Sequence, residues 1–178
     1  MTLINLNKTK QTKLSFDRPG DYTVYFENLS GELFFDIKAS QVNLNIYGVY
    51  MGTKKDEFRI STYQNHLAPS STSNLLIKGV FYDNSKLFYR GLIRIEKEAQ
   101  KSHAYQKNKN LLLSNNSFVD SKPYLEILAN DVFCTHGSTT GRIDREQMFY
   151  TKARGLDQEE AEKLLVSGFL NEIYQYKK

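Results

Sequence analysis

The chain has one cysteine, Cys134, in 178 residues. An intramolecular disulfide is therefore excluded, and secretion gains no support from cysteine usage. One thiol cannot hold a zinc ion or a metal cluster alone, because such sites take several ligands. Any metal at Cys134 must draw its remaining ligands from histidine, carboxylate or a second chain. No run of about 18 apolar residues occurs, so no membrane-spanning helix is expected. Residues 1–10 contain neither a long apolar core nor a small-residue cleavage site, so no signal peptide is expected and a cytoplasmic location is the default. Excess charge of one sign is also scarce. Lys and Arg total 24 against 20 Asp and Glu, and the two signs alternate along the chain, which argues against the concentrated basic face of a nucleic-acid binder. Gly-x-Ser-x-Gly, His-Glu-x-x-His and clustered carboxylate motifs are absent, as is any long Pro- or Ser-rich linker. The chain is long enough for one domain with a sizeable core.

What is present is mostly β. Tyr22–Phe26, Glu32–Ile37 and Val42–Tyr47 are short runs rich in aromatic and β-branched residues, and the third alternates apolar with polar. They begin roughly every ten residues, separated by turn formers such as Asn28–Gly31. Further runs follow at Phe58–Tyr63, Asn74–Phe81, Leu87–Ile95, Asn110–Ser114 and Tyr124–Leu128. Within Leu87–Ile95 the alternation slips near Gly91, which suggests a bulge or corner. Many short, evenly spaced strands suit a sandwich, a barrel or a β-solenoid, and composition does not choose among them.

The last quarter changes period. Asp144 opens a D-x-x-Q pattern with Gln147, predicting a helix that stops near Gly155. Asp157 opens a D-x-x-E box with Glu160, followed by Ala161, Leu164, Leu165, Gly168, Phe169 and Ile173 at helical spacing. The expected organisation is a β scaffold over residues 1–142 and a helical segment over residues 143–178, packed on the same domain.

The segment with most chemistry is Asn130–Gly141. Cys134 and His136 are two apart, so on a strand both project from one face. A thiol beside an imidazole can ligate a soft metal, or the imidazole can promote thiolate formation. The commoner reading of so short a motif is a buried cysteine beside a hydrogen-bonded histidine. Gly137–Gly141 precedes a helix but lacks the lysine and spacing of a phosphate loop. His66 and His103 stand alone and read as structural.

Several segments together carry a resemblance. They are His66-Leu-Ala-Pro69, Tyr89-Arg-Gly-Leu-Ile-Arg-Ile95, Ala99-Gln100 with Ala104-Tyr-Gln106, and Asn110-Leu-Leu-Leu-Ser114. Pro123-Tyr-Leu-Glu-Ile127, Cys134-Thr-His-Gly-Ser-Thr-Thr-Gly141, Phe149-Tyr150, Arg154-Gly155 and Phe169-Leu-Asn-Glu-Ile173 complete the set. In order and spacing these are similar to the SufB/SufD family of iron–sulfur cluster assembly proteins, from about His66 to Ile173. The resemblance implies a right-handed parallel β-helix followed by two C-terminal helices. It implies a shortened SufD-like, non-enzymatic scaffold that pairs with a SufB-like or identical subunit through its last β segments. It also implies that the C-terminal helices dock the ABC-type ATPase SufC.

By the same resemblance, Ser117 stands where SufB-type members carry a functional cysteine, and His136-Gly137 replaces their His-Glu. His136, with Cys134 beside it, is implied to offer a ligand to iron or to a transient cluster at a subunit interface, with nothing tightly bound. Two alternatives were weighed. One is a self-sufficient homodimer binding iron through two Cys134–His136 pairs. The other is a β-helical carbohydrate-active enzyme, which needs clustered acids where only Glu96, Glu98, Glu126 and Asp131 are scattered.

Overall fold

The computed structural model describes residues 2–177. Eleven strands are followed by two helices, with one short helix near the start. The strands are β1 (Thr2–Asn5), β2 (Lys13–Phe16), β3 (Gly20–Glu27), β4 (Gly31–Ile37), β5 (Val42–Gly52), β6 (Glu57–His66), β7 (Thr72–Phe81), β8 (Lys86–Ile95), β9 (His103–Leu112), β10 (Phe118–Ile127) and β11 (Phe133–Gly141). The helices are α1 (Leu6–Thr9), α2 (Arg145–Lys152) and α3 (Gln158–Tyr174). Odd-numbered strands form one sheet in chain order and even-numbered strands form the other. Every pairing is parallel. The chain thus alternates between two facing sheets and winds a β-solenoid of about four turns. Sandwich and barrel, both open on composition alone, are excluded by this topology.

Register is exact from rung to rung. Asn43, Thr72, His103 and Phe133 form one column, and Phe34, Tyr63, Leu92 and Tyr124 another. Side chains alternate between lumen and surface, so like positions stack. The first turns fill the lumen with Phe26, Phe35, Ile37, Leu44, Ile46 and Ile77, all buried. The corners repeat as well. Asn28, Lys54 and Asp83 have φ of 52°, 53° and 51° at one corner of successive turns, and Gln41, Ser70 and Lys101 have 57°, 57° and 58° at the other. A left-handed residue at each corner reverses the chain without glycine. The conformational cost is met by rung-to-rung hydrogen bonds such as Ser70 N to Gln100 O, 2.9 Å, and Lys54 N to Asp83 Oδ2, 2.7 Å.

The C-terminal helices start where the caps predict. Asp144 accepts from the backbone of Glu146 and Gln147, and Asp157 with Glu160 forms a complete capping box. α2 ends at Lys152, and Gly155 takes φ 93° in the turn that follows. Of the expected stripe of α3, Ala161 and Ile173 are buried and Phe169 packs partly on the same cluster. Leu164 differs, being 55% exposed, while Val166 and Leu170 join Ile173 on Tyr25, Val49 and Val80 of the odd-strand sheet. Lys78, buried in that sheet, donates to Phe169 O and to Glu172 Oε2, each at 2.6 Å, pinning the helix. Its ammonium holds the Glu172 carboxyl below the usual range.

Three other expectations change. β1, α1 and β2 were not foreseen, and β9 begins seven residues before the apolar run at Asn110 because its lumen face is Ala104, Gln106, Asn108 and Asn110. Gly91 is neither bulge nor corner, since β8 pairs without interruption on both sides. A Cβ at Gly91 would lie 2.3 Å from Gln106 Nε2 and 2.3 Å from Tyr89 OH. The glycine makes room for a buried amide.

Two outcomes follow. Gly91→Ala should lower stability by about 1–3 kcal/mol through overpacking, whereas Gly168→Ala, in open space on α3, should raise it by up to ~1 kcal/mol; urea midpoints measure both. His66 is fully buried, and burial pushes its pKa down to about 4. Between that value and the unfolded value near 6.5 the unfolded chain binds the extra proton. Stability should therefore fall as pH drops below about 6.5 and level off near 4, by roughly 3 kcal/mol at most. His66→Asn should remove that component of a pH series of urea melts.

Candidate functional site

The two ends of the solenoid differ. At the start, the edge strands β1 and β2 have four residues each, and α1 buries Leu6 against the core while Asn7 bonds both backbone groups of Glu27. At the other end β10 and β11 have ten and nine residues, and each is the last strand of its sheet. Their outer N–H and C=O groups have no neighbouring strand. Leu125, Ile127, Leu128 and Phe133 are exposed around them, Phe133 by 62%. A long, apolar, unpaired edge is a pairing surface.

β11 is set by the turn before it. Gln100 Oε1 accepts from Asn130 N and Asp131 N, at 3.3 and 2.9 Å, and Lys101 N donates to Asp131 O at 2.6 Å. The strand then lies in register on β9, with Cys134 on Ala104, His136 on Gln106, Ser138 on Asn108 and Thr140 on Asn110. Those four β9 residues are buried in the lumen. The same alternation puts Cys134, His136, Ser138 and Thr140 on the lumen side of a rung that nothing covers. Asn110 Nδ2 donating to Thr140 Oγ1 at 3.3 Å supports that orientation.

The shared face predicted for Cys134 and His136 is thus present. Their environments differ. Cys134 is half-buried beside Ile93, Ile95, Ala99, Ala104 and Ala129. Burial pushes its thiol pKa up, against a smaller lowering from the Ala104 backbone. Burial thus opposes thiolate formation at Cys134. His136 is exposed, and Gly137 leaves open space next to it. Among the described residues no group of three or more His, Cys, Asp or Glu could hold a metal. A thiol and an imidazole are two ligands of the types iron accepts, and a closed site needs more.

The other candidates are placed elsewhere. His66 lies in the lumen, His103 sets its ring edge to Phe133 at 5.0 Å, and Ser117 is buried with Oγ donating to Ser114 O at 2.9 Å. Glu96 and Glu126 both pair with Arg94. Gln100 positions β11 across the turn. Nothing local in the sequence shows that a side chain reaches the next rung.

Comparison with known proteins gives one consistent result. Residues 27–169 match the family described as SUF system FeS cluster assembly, SufBD core domain. The chain is 36% identical over 150 residues to the iron–sulfur cluster assembly protein SufD of Escherichia coli, covering 82% of this chain and 36% of that protein. It is 32% identical over 140 residues to SufD of Bacillus subtilis, covering 74% and 32%. It is 31% identical over 105 residues to SufB of Bacillus subtilis, covering 59% and 23%. The chain spans about a third of the length of the SufD relatives.

The buried thiol sets an expectation for reactivity. Iodoacetamide should modify Cys134 several-fold more slowly at pH 7.5 in the native chain than in urea, with the rate still rising above pH 9. Mass spectrometry of timed samples reads this directly, and a native rate that reaches its plateau below pH 8 would contradict the raised pKa.

Proposed function

Because the chain belongs to the SufBD family of SUF-system proteins, we propose that it is a SufD-like, non-enzymatic scaffold subunit in iron–sulfur cluster assembly. It pairs through the open end formed by β10 and β11. There His136, with Cys134 beside it, presents an imidazole nitrogen to iron or to the nascent cluster, which is cargo rather than a resident cofactor. The observation that carries this reading is the uncovered last rung, which puts both side chains on an unpaired edge. Two ligands per chain do not close an iron site. The partner must complete it, so cargo binding depends on pairing.

Likeness to SufD supports the assignment within the family. The SufD matches cover more of the chain than the SufB match does. Ser117 stands at the SufB-type cysteine position and is buried, so it supplies no thiolate. The partner at the open end is a SufB-like subunit, which brings the missing thiolate. The helical end docks a SufC-type ATPase. Phe149, Tyr150 and Leu164 are 76%, 61% and 55% exposed there, an apolar surface that the β-solenoid does not use. Among the described residues no helix is long and apolar enough to cross a membrane, which fits the cytoplasmic location proposed.

The test is complementation of a strain lacking the native gene, scored by the activity of an iron–sulfur enzyme, with anaerobic co-purification of the SufB- and SufC-type subunits as control. His136→Ala should reduce maturation by tenfold or more, the scale of losing a metal ligand, while pairing and folding survive. Cys134→Ser should be milder, and Ser117→Ala should do little. Full activity of His136→Ala would assign that residue to structure rather than to cargo.

A further inference from the structure

The lumen changes character along the solenoid. Early turns are apolar, but β6, β7, β8 and β9 turn Thr62, Gln64, His66, Ser73, Tyr89, Gln106, Asn108 and Asn110 inward, all buried. Some of these satisfy one another. Thr62 Oγ1 and Tyr89 OH are 2.9 Å apart, and Asn110 Nδ2 donates to Asn108 Oδ1 at 2.7 Å. Gln64 crosses from the even-strand sheet, with Nε2 2.7 Å from Ser73 Oγ and 3.5 Å from Tyr105 O. Gln106 crosses the other way, with Nε2 3.3 Å from Gly91 O. His66 Nε2 meets the same Ser73 Oγ at 2.8 Å.

Three atoms of this group have no protein partner: Gln64 Oε1, Gln106 Oε1 and His66 Nδ1. Their residues are 0%, 1% and 0% exposed. Buried polar groups of native proteins are almost always bonded to protein or to ordered water. The set is chemically complementary to water. Ser73 Oγ already accepts from Gln64, so its own proton is free to go to His66 Nε2. That leaves the ring proton on Nδ1 as a donor. A ring N–H that donates and two carbonyl oxygens that accept are each groups that ordered water satisfies.

We infer that the lumen at this level binds ordered water beside the crossing Gln64 and Gln106 amides and His66. The site lies one rung below the end residue His136, which stacks on Gln106. It is not part of the edge surface. Glycine at position 91 is required by the same arrangement, because any Cβ there would displace the Gln106 amide. The inference does not rest on the proposed assembly role.

Water itself is the probe. Nitrogen-edited laboratory-frame and rotating-frame cross-relaxation spectra of the whole chain should show cross-peaks of opposite sign between water and the Gln64 and Gln106 side-chain amides. That sign pattern marks long-lived bound water. A high-resolution crystal structure should place an ordered oxygen within hydrogen-bond distance of each of the three atoms. A dry lumen in both measurements, with the amides rotated to bond each other, overturns the inference. The double variant Gln64→Leu with Gln106→Leu should lose the cross-peaks, and their persistence at His66 in a folded double variant would equally overturn it. If that variant does not fold, the wild-type spectra and map decide alone.

Discussion

In a parallel β-solenoid the backbone of each turn is satisfied only by the turns on either side. Every rung therefore needs a neighbour, and the terminal rungs lack one. Near the start, α1 places Leu6 in the core and Asn7 on the backbone of Glu27. The last rung keeps strands of ten and nine residues with nothing beyond them. An uncovered rung of that length asks for a partner, and the candidate site sits on it. The proposed site and the proposed pairing surface therefore share one rung.

The lumen follows from the same geometry. Exact register stacks each inward side chain on its counterpart in the next turn, so the core is a set of columns rather than a single cluster. Apolar columns in the early turns supply the burial that holds the fold. Polar columns then appear around Gln64 and Gln106, where glycine at 91 opens the space the amides fill. A buried imidazole at position 66 makes that region sensitive to acid, because its charged form has no place in the lumen. The C-terminal helices add the remaining cover. α3 buries Val166, Leu170 and Ile173 on the odd-strand sheet, and Lys78 ties Glu172 and the Phe169 carbonyl to that surface.

Much of the fold was legible locally, and the failures were local too. Tyr22–Phe26 and Val42–Tyr47 read as strands because β-branched and aromatic residues alternate there. Asp157 and Glu160 announce a helix start because the capping box is complete within four residues. His103–Lys109 did not read as a strand, since its inward residues are alanine and amides, whose fit depends on Gly91 across the lumen and, for the following Asn110, on Gly79 of the neighbouring strand. Gly91 was misread for the same reason. A glycine's purpose cannot be seen when the atoms it accommodates lie on another strand. On α3, Ala161 and Ile173 are buried as helical spacing predicts, but Leu164 is exposed and Val166 and Leu170 take the sheet contact, a choice that the packed sheet makes and local spacing does not.

The sequence by itself determined that the chain is β-rich with two capped helices at its end. It also determined that its single thiol cannot bind metal alone and that Cys134 and His136 share a strand face. These are properties of neighbours in the chain: alternation, capping and the count of one residue type. Composition left sandwich, barrel and solenoid open, and the resemblance carried by its joint motifs implied the parallel β-helix that the structure has. Only the tertiary structure decided that this face lies on the last rung, and that Cys134 is half-buried while His136 is open. Register across about thirty residues fixes all of these, and hydrogen bonds between turns carry no signature in the residues that make them.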